Sequence, residues 1–302
     1  MILPGLDFPA CMGIVNVTPD SFSDGGRFDS SAGFEKKIME LLEWKVPIWD
    51  IGAESTAPFN DLISEKQELE RFEKTFFAWA RKNHIPEHII LSIDTYRGTT
   101  FRKIYDCMRQ QGIKNTMIWN DVSGVIDDEL FETLSLCPDA YYVFCHTGTD
   151  QRKDSGNHMK KVFGFNERCA VSEICEYFMN ALDLLESRGM GNRVILDPCF
   201  GFSKTIEHNH FLIKNIGKIM DRFKKGTIWL FGISRKSFLK KLVERESLDS
   251  NVRIQSEYFH TNILTRWFKT LSDHHYIVRL HDPGLWQVSK KYIEILDLDH
   301  LS

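Results

Sequence analysis

Cys11-Met12-Gly13-Ile14-Val15-Asn16, running on into Val17-Thr18-Pro19-Asp20-Ser21-Phe22-Ser23-Asp24-Gly25-Gly26, is the stretch whose reading decides the fold. An apolar, β-prone run stops abruptly at Asn16, and a polar loop with two glycines follows. A buried strand that delivers side chains and backbone amides to a loop at its C-terminal end has this pattern. The unit recurs along the chain. Further runs ending in a polar residue are Pro47–Gly52, Ile89–Asp94, Thr116–Asp121, Tyr141–His146, Arg193–Asp197, Ile228–Ser234 and Tyr276–His281, which makes eight in all.

Helix-compatible segments lie between these runs. Glu65 to Lys82 places Leu69, Phe72, Phe76, Phe77 and Ala80 near helical spacing among charges, and Ser172 to Arg188 does the same with Ile174, Cys175, Phe178, Ala181, Leu182 and Leu185. Gly189 is positioned to cap the second of these. Gly98 to Gln110 and Ser237 to Glu246 are shorter candidates. Strands alternating with helices require a parallel sheet. Eight units without a linker predict a single-domain (β/α)8 TIM barrel over residues 1–302. Such a barrel puts its active-site groups at the C-terminal ends of its strands. Those ends read Asn16, Asp50, Asp94, Asn120 and Asp121, His146, Asp197, Ser234 and Arg235, and Arg279 and His281.

Composition narrows the class. The chain has 302 residues, 42% hydrophobic and 26% charged, with a formal net charge of -4. These are the proportions of an ordinary globular protein with a large core, and they give no reason to expect nucleic-acid or membrane partners. Seven cysteines, an odd number with no CxxC pair, argue against a disulfide framework or a structural zinc site and for reduced thiols in the cytoplasm. The segment Met1–Asp7 lacks the basic start and apolar stretch of a signal peptide, and no apolar run reaches the length of a membrane span.

Seven motifs lie on or just after the strand runs: the loop from Met12 to Gly26; Asp50-Ile51-Gly52-Ala53-Glu54-Ser55-Thr56; Ser92-Ile93-Asp94-Thr95-Tyr96; Asn120-Asp121-Val122-Ser123-Gly124; Asp197-Pro198-Cys199-Phe200-Gly201-Phe202-Ser203-Lys204-Thr205; Gly232-Ile233-Ser234-Arg235-Lys236-Ser237-Phe238; and Arg279-Leu280-His281-Asp282. In this order they resemble the signatures of the dihydropteroate synthases, pterin-condensing enzymes of folate synthesis, and they cover nearly the whole chain. Two aspartates and an asparagine on neighbouring strand ends, Asp94, Asn120 and Asp197, also suit a 2-amino-4-oxo pyrimidine edge, because carboxylates accept from amino and ring N–H groups while an amide both donates and accepts.

The resemblance implies a set of roles. Asp94, Asn120, Asp197 and Lys236 bind the pterin. Thr56, Arg279 and His281 hold its diphosphate. Phe202, Ser234 and Thr56 receive 4-aminobenzoate, and Asn16 meets a diphosphate-bound magnesium ion. Asp94, Lys236 and Asn16 stand closest to the chemistry. No protein nucleophile is needed, so Ser55, Cys145 and Cys199 have no such part. The resemblance also implies a homodimer, through late helices near residues 258–272, and membership of a family that sulfonamides target.

The chain departs from the family pattern in places. Ser55-Thr56-Ala57-Pro58-Phe59 stands where the family has Ser-Thr-Arg-Pro-Gly, so an arginine fork is replaced by Ala57. Cys199 replaces a glycine, and His146-Thr147-Gly148 matches its motif only loosely. Two alternatives therefore stay open: a pterin-binding paralogue with another second substrate or reduced turnover, and a pterin-dependent methyltransferase.

Overall fold

Each of the eight apolar runs forms a parallel strand in the computed structural model, which describes residues 3–17, 30–54, 62–155, 161–245 and 252–298. The strands are β1 (Ala10–Asn16), β2 (Ile48–Gly52), β3 (Ile90–Asp94), β4 (Met117–Asp121), β5 (Tyr141–Cys145), β6 (Val194–Asp197), β7 (Ile228–Phe231) and β8 (His275–Leu280). They pair in chain order, and β8 closes on β1, giving a closed barrel. The predicted runs overshoot by one to three residues at the ends of β5 and β7, where His146 and Ser234 already belong to loops.

The helices are α1 (Ser30–Glu43), α2 (Glu65–Phe72), α3 (Ala78–Ala80), α4 (Gly98–Gln110), α5 (Asp128–Leu136), α6 (Ala170–Ser187), α7 (Ile206–Met220), α8 (Ser237–Arg245), α9 (Val252–Thr270) and α10 (Pro283–Leu298). The expected helix from Glu65 is real but passes through a π-helical turn at Glu73–Phe77 before α3. Its start is fixed by a capping box, in which the Ser64 hydroxyl accepts from the Gln67 amide and the Gln67 side chain accepts from Ser64 N–H. At the end of α6, Gly189 takes φ 71°, and the Met190 amide reaches back to the Leu185 carbonyl at 2.9 Å. That is the left-handed cap expected of this glycine.

Because the strands are covered on both faces, they read as nearly continuous apolar runs. The side chains still alternate. One set, including Met12, Ile48, Ile90, Ile118, Val143, Ile195, Leu230 and Ile277, fills the barrel interior, and Leu3 and Leu6 join the same cluster. The other set, including Trp49, Trp119, Tyr142, Phe144, Trp229, Phe231 and Tyr276, packs outward against the helices. Trp119 stacks on Phe101 of α4 with centroids 5.7 Å apart, and Phe231 meets Trp267 of α9 at 4.9 Å.

The alternation decides which polar strand ends point inward. Across the first four strands the register sets Asn16 beside Gly52, Gly52 beside Asp94, and Asp94 beside Asn120. These share the parity of Met12, Ile48, Ile90 and Ile118, so they continue the interior face upward. The same counting puts Asp50, Asp197, Arg279 and Cys145 inside, and Asp121 and His146 outside.

Candidate active site

Asp50 is the hub of the barrel mouth, although the sequence marks it only as a polar strand end. It is fully buried. One carboxylate oxygen accepts from Ser92 Oγ at 2.6 Å and from Asn120 Nδ2 at 3.0 Å, and the other accepts from Arg279 Nε at 2.6 Å. Arg279 also donates through Nη2 to Asp94 Oδ2 at 2.5 Å. Strand β8 thus supplies one guanidinium that binds carboxylates from β2 and β3, and its two short, charge-assisted bonds lie in the strong class. Gly52 makes the crowding possible, because a Cβ there would sit 3.1 Å from the Asp94 Cβ.

The electrostatics follow from burial. Burial raises the Asp94 carboxyl from its ordinary 3.8 to about 7; Arg279 opposes the rise and Asp50 adds to it. Asp197, at the end of β6, is lifted to about 6, again chiefly by burial, and is partly restrained by the Cys199 amide that donates to its Oδ1 at 2.6 Å. Lys236 lies in the loop after β7 with Nζ 4.0 Å from the centroid of the Phe202 ring, a cation–π contact. Burial lowers its ammonium below the ordinary lysine value.

Asn120 carries the clearest signal of a missing partner. Its Nδ2 faces Asp50, whose carboxyl oxygens also accept from Ser92 and Arg279. That fixes the amide and leaves Oδ1 buried with no partner among the described residues. An unmet buried acceptor costs roughly 1–3 kcal/mol, and a ligand N–H placed there would recover it.

A second group forms beside the ends of β7 and β8. Ser234 Oγ accepts from the His281 amide at 3.2 Å and lies 3.0 Å from His281 Nδ1. With the hydroxyl hydrogen turned toward Nδ1, the imidazole proton resides on Nε2. Burial, with Arg279, Arg235, Lys236 and Lys37 nearby, presses the His281 pKa down to about 3, so the ring is neutral. A cavity of about 360 Å³ opens here, lined by Asn16, Lys37, Glu40, Arg235, His281 and Asp282 among others. Lys37 of α1 was not singled out in the sequence. It donates to the His281 carbonyl at 2.8 Å and to Glu40 at 3.0 Å.

The predicted residues therefore separate into three clusters. Asp94, Asn120 and Arg279 meet around Asp50. Asp197, Phe202 and Lys236 gather on the β6–β7 side. Asn16, Ser234 and His281 lie toward the cavity lined by Lys37, Glu40, Arg235 and Asp282. Ser234, expected to face 4-aminobenzoate, is tied to His281. Thr56, with Ala57 and Phe59, lies outside the described residues, as do residues 18–29 of the first loop.

Two outward-facing strand-end residues serve as scaffold. Asp121 receives Arg152 at 2.5 Å and Tyr142 Oη at 3.0 Å. His146 stacks on Phe163 with centroids 4.4 Å apart. Lys204 is also structural: its buried ammonium donates to the His146, Cys199 and Phe202 carbonyls at 2.7, 3.1 and 3.0 Å, which closes the loop after β6. Sequence reading also missed Arg97, whose guanidinium binds Glu54 at 2.5 Å, Glu68 at 2.9 Å and the Ile63 carbonyl at 2.6 Å.

Comparison with known proteins bears on this arrangement. Residues 12–261 match the family of pterin binding enzymes. A dihydropteroate synthase of Streptococcus pyogenes is 29% identical over 275 residues, covering 90% of each chain. The dihydropteroate synthase of Synechocystis sp. is 30% identical over 235 residues, 78% of this chain and 74% of that protein. The folate synthesis bifunctional protein of Arabidopsis thaliana is 32% identical over 244 residues, and the match covers 78% of this chain but only 47% of that protein. Among solved structures, the dihydropteroate synthase of Anaplasma phagocytophilum with bound 6-hydroxymethylpterin-monophosphate aligns with a TM-score of 0.72 at 26% identity, over 95% of this chain and 98% of that one. With the barrel, its polar mouth and these matches in agreement, the chain belongs to the family of pterin binding enzymes.

Proposed function

We infer that this chain is a dihydropteroate synthase, which joins 6-hydroxymethyl-7,8-dihydropterin diphosphate to 4-aminobenzoate and releases diphosphate. The observation that carries the reading is the fixed Asn120 amide with its unpaired buried Oδ1, set between the carboxyl groups of Asp50 and Asp94. A pterin edge brings N–H donors to such acceptors, and Lys236 can donate to the ring carbonyl or a ring nitrogen. Burial makes these groups expensive to leave unpaired, so binding completes the site.

In the reaction, the bond from the pterin CH2 to the diphosphate oxygen breaks and the electron pair leaves with diphosphate. The amine of 4-aminobenzoate then attacks that carbon and loses a proton. Ionised Asp94 would stabilise positive charge on the pterin as the bond breaks. Arg279 uses Nε and Nη2 on Asp50 and Asp94, which leaves its Nη1 donors for diphosphate oxygens. The Nε2–H of neutral His281 is a further donor. Phe202 offers an apolar wall to the aminobenzoate ring, and we assign contacts with that substrate to Ser234 and, on the family resemblance alone, to Thr56.

Magnesium fits the cavity near Asn16 together with diphosphate: the lining holds oxygen donors in Asn16, Glu40 and Asp282, with Lys37 and Arg235 beside them for phosphate oxygens, and a few protein oxygens with substrate phosphates are what magnesium accepts. Asn16 would hold it there, and when bound the ion neutralises charge on the departing diphosphate.

The experiment is to supply both substrates and measure diphosphate release with magnesium and with chelator. Release that depends on 4-aminobenzoate supports the synthase. Tight pterin binding without release supports instead the paralogue that the Ala57 substitution raises.

The assembly we propose is a homodimer through α9 and α10. Tyr258 and Phe259 on α9 and Val288 and Tyr292 on α10 are exposed apolar side chains, whereas Leu264 and Trp267 belong to the core. Sedimentation of the purified chain tests this, and a monomer at micromolar concentration would overturn it. Among the described residues no helix is long and apolar enough to cross a membrane. The seven cysteines are all free thiols, which suits a reducing cytoplasm, and we place the protein there.

A further inference from the structure

The ends of β5 and β6 bring together two thiols and a carboxylate. Cys145 lies opposite Asp197 in the register, with Sγ 3.9 Å from Asp197 Oδ2. The Asp197 carboxylate holds the amide of Cys199, two residues on, and so turns that residue back. One ligand atom from each of Cys145, Asp197 and Cys199 lies within 4.8 Å of the others, and all three residues are buried. Cys199 takes φ 55°, a left-handed conformation that costs a side-chain-bearing residue roughly 1–2 kcal/mol. Neither thiol has a part in the condensation.

We propose that Cys145, Cys199 and Asp197 form a binding site for a thiophilic divalent cation of the zinc class. Zinc takes sulfur at about 2.3 Å and carboxylate oxygen at about 2.0–2.2 Å, so ligand atoms around a tetrahedral ion stand roughly 3.3–3.8 Å apart. The observed spread closes to that by movements on the order of 1 Å. The ion displaces the two thiol protons to solvent and leaves one position for water. Two thiolates, a carboxylate and the ion sum to a single negative charge. Lys204 and Lys236, both within electrostatic reach of all three ligands, offset it. Cation and pterin exclude each other, because each needs the Asp197 carboxylate. That clause rests on the proposed function, whereas the metal site does not.

The test uses Co2+, a spectroscopic substitute for zinc, added to the full chain after chelator treatment in the presence of reductant. The expected result is one equivalent bound with a thiolate-to-cobalt charge-transfer band, displaced by Zn2+. Cys145→Ser and Cys199→Gly should each lower affinity by more than the roughly 10- to 100-fold that loss of an outer-shell partner costs. Cys175→Ser, at a buried thiol elsewhere, should leave both band and affinity intact. Absence of the band, or unchanged affinity in Cys199→Gly, would overturn the site. Glycine suits that backbone, so misfolding would not explain a loss. Pteroate binding is measured first on the metal-free chain, where failure of the pterin reading would show by itself. Given pteroate binding, its failure to displace Co2+ would refute the shared carboxylate.

Discussion

Replacing Asp94 with asparagine separates what the buried carboxyl does for catalysis from what it does to stability. The folded protein raises this group from 3.8 to about 7. At about 1.4 kcal/mol per tenfold change in proton affinity, that corresponds to roughly 4 kcal/mol. The fold binds the proton more tightly than the unfolded chain does. Below pH 4 both states hold the proton and the contribution is fully present. As pH rises, the unfolded chain ionises first, so stability falls until the folded group also ionises near 7. Asparagine has no such term. The difference in unfolding free energy between wild type and Asp94→Asn should therefore shift by up to about 4 kcal/mol in favour of the variant between about pH 4 and about pH 8. Urea unfolding at a series of pH values measures it, and Asp197, raised in both proteins, cancels in the difference. The variant should also lose most diphosphate release, since an amide cannot balance a cationic pterin. Parallel pH profiles for the two proteins would refute this account of the barrel mouth.

Three other substitutions probe separate parts of the site. Arg279→Met strands the carboxylates of Asp50 and Asp94, and should cost on the order of 3–5 kcal/mol in chemical denaturation at neutral pH. Cys199→Gly relieves a left-handed backbone but removes a buried side chain and loosens the unfolded chain, so the terms offset and stability should change by less than about 1 kcal/mol, read from Tm. Ala57→Arg restores the guanidinium of the family's second loop and should lower the KM for 4-aminobenzoate; an unchanged or higher KM would show that this loop engages its substrate differently.

The barrel was legible because apolar residues fill both faces of its strands while their ends turn polar. Which polar end mattered was harder to read. Asn120 and Asp121 are adjacent, and only the parity fixed by Ile118 separates the inward-facing amide from the carboxylate spent on Arg152. The same one-residue question divides Cys145 from His146. Asp50 looked like one strand end among many, since its partners Ser92, Asn120 and Arg279 are 42, 70 and 229 residues away. Arg97 was invisible for the same reason. Helix α9 was harder to recognise because its buried and exposed apolar residues do not form a single stripe.

The Arg97 cluster has a consequence for how this enzyme can change. Glu54 and Ile63 flank residues 55–61, and Arg97 holds both: the Glu54 carboxylate at 2.5 Å and the Ile63 carbonyl at 2.6 Å, while the Ile63 amide donates to Glu54 at 3.1 Å. Glu68 on α2 takes the same guanidinium. The two points where this segment enters and leaves the barrel are therefore anchored to each other and to β3–α4, independently of what lies between them. The sequence between them, Ala57 and Phe59 included, is therefore free to differ from the family pattern while its two ends keep the same anchorage, which makes the segment a place where this chain can change without cost to the barrel.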